Sequence, residues 1–234
     1  MFIPLRDDNP TSRLPVVTVA LIVLNAAVFL FQAAAPRGLE SAALRFGAVP
    51  YDIVHFRAAA PAAVPPLLTL LTSMFLHASL FHLAGNMLYL WIFGNNIEDR
   101  LGHVRFALFY LAGGVAAALT HVLFEPGSRV PMIGASGAIA GVLGAYFLLF
   151  PQARVKVFVF LIFYIDVVAV PAGVVLGLWF VMQVLNLGMG GGVAWFAHIG
   201  GFLAGLALVR LALGGGYRRP PAVFTDKVDN HPEN

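Results

Sequence analysis

Four side chains able to move a proton or hold a developing charge lie in apolar surroundings: His82, Asn86, Ser136 and His198. A histidine base beside a serine hydroxyl is the minimum arrangement for acyl transfer. An imidazole N–H and a side-chain amide are donors of the kind an oxyanion needs. Ser136 belongs to Gly134-Ala135-Ser136-Gly137, which opens an apolar run ending near Phe150. In a helix starting there, the first-turn amides lack partners and the dipole is positive, so negative charge on or near the serine would be stabilised. Each residue also has a plainer reading. Glycine and serine are what packed membrane helices use to approach closely, and a lone histidine or asparagine often bridges two helices. The elements that position the four decide between these readings.

Of the 234 residues, 60% are hydrophobic and only 11% charged, which is more apolar surface than a soluble core of this size needs. The composition predicts an integral membrane protein with one polytopic domain. Cysteine is absent, which removes disulfides, thiolate metal ligands and a thiol nucleophile. A formal charge of +3 carried by so few ionisable residues is an anchoring pattern, not a nucleic-acid footprint. Met1 starts a polar segment, without the immediate apolar core of a cleavable signal peptide.

Apolar runs and their breakers predict an all-α bundle of six transmembrane helices with a long first external loop. Residues 1–14 form a polar N-terminal segment, 15–213 the six-helix membrane domain and 214–234 a polar, disordered tail. The spans run from Pro15 to about Ala34, Leu80 to about Ile97 with Ser79 as N-cap, Phe106 to Phe124, Ala135 to Phe150, Ala172 to Leu187 and Val193 to about Leu213. The loop from Ala35 to Ala78 holds Pro36, Pro50, Pro61, Pro65 and Pro66, and its apolar parts read as short interfacial helices. Val155 to Val170 is rich in β-branched and aromatic residues but carries Lys156 and Asp166 and stops at Pro171. It reads as an interfacial connection, since its uninterrupted part is too short to span. Gly188 to Gly192 reads as a flexible loop.

With the N-terminus in the cytoplasm, ten basic residues fall inside: Arg6, Arg13, Arg100, Arg105, Arg154, Lys156, Arg210, Arg218, Arg219 and Lys227. Four fall outside: Arg37, Arg45, Arg57 and Arg129. The positive-inside rule then places both termini in the cytoplasm. The second, fourth and sixth helices all run from outside to inside. His82, Asn86, Ser136 and His198 therefore share a depth in the outer half of the bilayer, and counting Val155 to Val170 as a span would move His198 to the other side.

His82 and Asn86 stand four apart and share a face. Gly137 and Gly141 form one G-x-x-x-G, and Gly201 and Gly205, on the His198 face, form another. Two such faces let backbones approach closely, which would bring Ser136 to His198. Glu98 and Arg100 are expected to pair or cap at the inner end, Asp166 to be wet, and His77 to end the interfacial segment and bond backbone. His55, His103, His121 and His231 are given no role.

These residues resemble those of the rhomboid intramembrane serine proteases of bacterial type. The resemblance rests on His77-Ala78-Ser79-Leu80-Phe81-His82-Leu83-Ala84-Gly85-Asn86, Glu98-Asp99-Arg100-Leu101-Gly102, Gly134-Ala135-Ser136-Gly137 and Ala197-His198-Ile199-Gly200-Gly201. It covers about Met74 to Gly205. It implies a six-helix fold, a catalytic Ser136–His198 dyad without an aspartate, and an oxyanion hole of His82, Asn86 and the Ser136 backbone shaped by Gly134. It also implies cleavage of single-span membrane proteins near small residues in helix-destabilised segments. The chain departs from the family pattern twice. Ala140 stands where some members carry a tyrosine one turn after the serine, and the Trp-Arg pair that some have in the first external loop is absent.

The expected partners are transmembrane protein substrates and the lipid bilayer, with no nucleic acid; the oligomeric state is left open. No cofactor or metal is expected, because two histidines without a neighbouring carboxylate or cysteine make a poor zinc site. The fifth helix is the expected gate and the glycine loop a mobile cap. The competing readings are a non-catalytic binder of membrane helices, which would lack the serine or histidine, and a transporter, which would show repeats and midplane charges. The charge pattern fits a bacterial inner membrane.

Overall fold

The computed structural model describes residues 2–35, 38–57, 64–161, 164–189 and 192–214. The chain is mostly helical. After strand β1 (Phe2–Asp7) come α1 (Val16–Ala34), the loop helices α2 (Gly38–Phe46), α3 (Pro50–His55) and α4 (Pro66–Thr72), and a 3-10 turn at Ser73–Phe75. Helices α5 (Leu80–Leu101), α6 (His103–Phe124) and α7 (Ser136–Leu149) follow, then β2 (Arg154–Leu161), β3 (Tyr164–Pro171), α8 (Ala172–Leu185) and α9 (Trp195–Leu213).

Helices α1, α6 and α9 are each long and apolar enough to cross a bilayer alone. The α4 segment and α5 together pass the same test, but they meet at a bend of 81°. Apolar α7 and α8 have 14 residues each, about 21 Å of helix against a hydrocarbon core of about 30 Å. For α7 the shortfall follows from its place. It is buried nearly throughout, at the centre of a core that includes Phe93, Tyr110, Leu143, Tyr146 and Leu176. A helix ringed by other helices need not match the lipid, and its N-terminus at Ser136 can begin below the surface.

The α7–α9 contact is backbone against backbone. A Cβ at Gly201 would strike the carbonyl of Gly137, and one at Gly205 the carbonyl of Gly141. These pairs run in step, so α7 and α9 are parallel, as the two G-x-x-x-G faces suggest. On α6, Gly114 leaves room for Met74, and Thr120 occupies the space beside Gly200 of α9.

One end of the bundle carries a sheet that the sequence reading does not contain. Strands β2 and β3 form an antiparallel hairpin, and β1 pairs antiparallel with β2. Val155 to Val170 is therefore this hairpin, which explains its β-branched content. The polar N-terminal segment supplies an edge strand, where Pro4 is tolerated beside a register shift between Pro4 and Arg6. Asp7 is largely desolvated there and accepts from Tyr146 Oη at 2.6 Å and Asn96 Nδ2 at 2.8 Å. Desolvation outweighs these bonds and raises the Asp7 carboxyl to about 6.

The same end ties α1 to α5. Glu98, buried at the foot of α5, accepts from the Val17 and Thr18 amides at 2.8 Å each and from Thr18 Oγ1 at 2.7 Å. It thus serves as the N-cap that Pro15 cannot provide for α1. Asp99 accepts in turn from the Ser12 and Arg13 amides. Beyond the opposite end of the bundle, Ala48 bridges to Met132, while Ile53 and Leu70 pack on Ala118 and Val122 of α6. The long loop thus folds as short helices, as expected. Gly190, Gly191 and the tail after Gly214 lie outside the described residues, so the cap and tail expectations are without a structural counterpart.

Candidate active site

The four polar side chains singled out from the sequence are each delivered by the first turns of a helix. Ser79 accepts from the His82 amide at 3.1 Å, capping α5 and fixing the turn that carries His82 and, one turn on, Asn86. Ser136 is the first residue of α7. His198 is in the first turn of α9. The α7–α9 backbone contact then sets the reach between the last two: Ser136 Oγ lies 2.8 Å from His198 Nε2.

Gly134 makes the turn into α7 with φ +123°, which L side chains rarely adopt, and its amide donates to the Ser73 carbonyl at 2.9 Å. A Cβ there would stand 2.8 Å from His82 Nε2 and 3.7 Å from Ser136 Oγ. The bare glycine lets the His82 ring lie against the turn, next to the serine. The Ala78 amide lies 3.5 Å from His82 Nδ1, at the outer limit of a hydrogen bond. Nε2 is the ring nitrogen on the side of Gly134 and the serine. Asn86 is 8% exposed, and its Nδ2 is buried with no hydrogen-bond partner among the described residues. A buried amide donor without an acceptor is costly in a finished fold and useful where a substrate oxygen will arrive.

His82, Asn86, Gly134, Ser136 and His198 line one cavity of about 540 Å³, with Trp179 and Met132 on its wall. The structure brings together all the residues singled out from the sequence. Ala140 is buried on α7, and the aromatic neighbours of His198 come from elsewhere: Trp179 of α8 at 5.9 Å between ring centroids and Trp195 of α9 at 6.0 Å, edge-on. His77 ends its segment, and its amide donates to Gln32 Oε1 at 3.0 Å. Its buried ring has the Phe75 backbone beside it and lies edge-on to His82 at 5.1 Å.

The sequence reading missed Gln183. It is a buried residue of α8 whose Oε1 lies 2.8 Å from His198 Nδ1. Its signal was present: it is the one strongly polar side chain in an otherwise apolar helix, and such residues in spans are commonly functional.

Residues 65–214, more than half of the chain, match the family model for the Rhomboid domain. The chain is 37% identical over 97 residues to Rhomboid protein 1, mitochondrial, of Saccharomyces cerevisiae, covering 40% of this chain and 28% of that protein. It is 30% identical over 161 residues to Presenilin-associated rhomboid-like protein A, mitochondrial, of Danio rerio, covering 66% and 40% respectively. It is 46% identical over 76 residues to Rhomboid protease GluP of Bacillus subtilis, covering 32% and 14%. The chain thus spans less than half the length of each of these relatives.

Proposed function

The chain belongs to the rhomboid family, and on that premise we propose that it is an intramembrane serine endopeptidase cutting single-span membrane proteins within or near their transmembrane segment. It is an integral, multi-pass membrane protein. The observation that carries the proposal is the 2.8 Å contact between Ser136 Oγ and His198 Nε2, in a cavity that also holds an unpartnered Asn86 amide.

In this reading Ser136 Oγ attacks the scissile carbonyl and its proton passes to His198 Nε2. The tetrahedral oxyanion is held by His82 Nε2–H, Asn86 Nδ2–H and the Ser136 amide. Collapse expels the amine, which takes the proton from His198, and leaves an ester on Ser136. Water, deprotonated by His198, hydrolyses the ester. No metal or cofactor takes part. A helical substrate hides its carbonyls, so it must unwind to reach the serine, and small or helix-breaking residues ease that. Helix α8, which exposes Leu178, Val181, Met182 and Leu185 on its outer face, is the proposed gate.

The basic residues support an orientation with both ends of the described chain in the cytoplasm and the cavity opening outward. The named relatives include mitochondrial proteins of yeast and zebrafish as well as a Bacillus protease, so the likeness does not support the bacterial inner membrane in particular. The test is covalent labelling by a fluorophosphonate in bilayers. Wild type is expected to label, and Ser136→Ala and His198→Ala to lose labelling. Equal labelling of all three proteins would overturn the assignment.

A further inference from the structure

We propose that Gln183 is a positioning residue for the base, holding His198 in the one tautomer that can take a proton from Ser136. This rests on the serine-protease reading above. The constraint begins at a backbone carbonyl. The Trp179 carbonyl can only accept, and Gln183 Nε2 donates to it at 2.7 Å. The amide end of Gln183 is thereby fixed, since a flipped side chain would set two oxygens face to face. Gln183 Oε1 must then be the atom that meets His198 Nδ1 at 2.8 Å, and it can only accept. The proton of the neutral imidazole is forced onto Nδ1. Nε2 is left with its lone pair aimed at Ser136 Oγ, 2.8 Å away. The chain of donors thus reads Ser136 to His198 to Gln183 to the Trp179 carbonyl, and each hydrogen has one place to go.

The choice of an amide over a carboxylate suits the surroundings. Gln183 is only 6% exposed on an apolar helix, where a carboxylate would need a compensating charge. A neutral carbonyl dipole orients the ring without that requirement, and it still favours the imidazolium that forms as Ser136 attacks. Trp179, one turn earlier on the same helix, packs at 5.9 Å from the His198 ring. Helix α8 therefore holds the ring both by contact and by hydrogen bond.

The test compares wild type with Gln183→Met and Gln183→Glu in liposomes, using a fluorogenic transmembrane reporter and fluorophosphonate labelling. Gln183→Met keeps the volume and removes the acceptor. It is expected to lower kcat and the labelling rate about 10- to 100-fold, with KM and the thermal midpoint little changed. Gln183→Glu, held protonated in this buried apolar place, can donate to the Trp179 carbonyl from one oxygen and accept from His198 with the other, and is expected to recover most of kcat. In ¹⁵N-imidazole spectra the His198 signal, identified by its loss in His198→Ala, should change from the Nδ1–H form to a mixture in Gln183→Met. Unchanged kcat and tautomer in a folded Gln183→Met would overturn the positioning role while leaving the enzyme reading intact. A parallel fall in thermal midpoint and activity for both variants, with the His198 tautomer unchanged, would assign Gln183 to packing and likewise overturn it. Failure of wild type itself to label would overturn both.

Discussion

At the sheet end of the bundle, Glu98 takes three hydrogen bonds from α1, Asp99 takes the amides of Ser12 and Arg13, and Asp7 takes Tyr146 and Asn96. At the other end, Asn86 Nδ2 is buried with no hydrogen-bond partner among the described residues, and Gly134 is held at a φ that other residues rarely adopt. Side-chain amides occur at both ends, in Asn96 and in Asn86, so an amide alone does not separate them. What separates them is the source of the partner. The sheet end finds its partners within the chain and is a joint. The site end leaves one donor, Asn86 Nδ2, unfilled beside a cavity, as expected where the missing acceptor comes from outside the chain.

That contrast can be broken at three points. The largest effect is expected from Asn86→Ala. If Nδ2 waits for an oxyanion, kcat should fall about 10²- to 10³-fold with the thermal midpoint unchanged or raised, because a buried unpaired donor is removed. Cleavage kinetics of a reporter, set beside a melting curve, check both halves. Glu98→Ala should do the reverse. Losing the α1 cap is expected to cost about 3 kcal/mol of stability while kcat per folded molecule stays near that of wild type. Unfolding in mixed micelles, normalised by active-site titration, measures it.

The smallest effect belongs to Asp7. Its folded carboxyl titrates near 6, above the ordinary value of 3.8, so the folded state holds the proton more tightly than the unfolded state. The resulting stability is fully present below about pH 4 and is lost as pH rises through about 6. The expected loss is on the order of 2 kcal/mol, and Asp7→Asn should flatten the profile. A melting series from pH 4 to 7 tests this; a rise in stability across that window would contradict the desolvated setting of Asp7.

The helices were legible because each is an apolar run with a recognisable stop, and because Ser79 is a good cap whose hydroxyl does take the His82 amide. The convergence of His82, Asn86, Ser136 and His198 was legible because alternation of spans fixes which helix starts share a depth. The sheet was not. Strand β1 pairs with a segment about 150 residues away, and within Phe2–Asp7 the pattern is too short and too polar, with a proline, to announce a strand. Gln183 escaped for a related reason. Its contact with His198 depends on how α8 rotates against α9, and no spacing along the chain encodes that angle. The ring neighbours of His198 were likewise displaced: the family's tyrosine position is Ala140 here, and tryptophans from two other elements stand beside the imidazole.

The touching backbones of α7 and α9 divide what is fixed in the molecule from what is free to shift. With no side chain between Gly141 and Gly205, there is no rotamer whose change could widen that seam. The spacing of Ser136 and His198 is held as a rivet holds two plates, so thermal repacking elsewhere or a change in lipid thickness has little purchase on it. Any motion that admits a bulky guest must then be taken up by elements joined through pliable side chains; α8, resting on α9 through Trp179, Phe180 and Phe202, is such an element, and a shift there would also loosen the Gln183–His198 hydrogen bond.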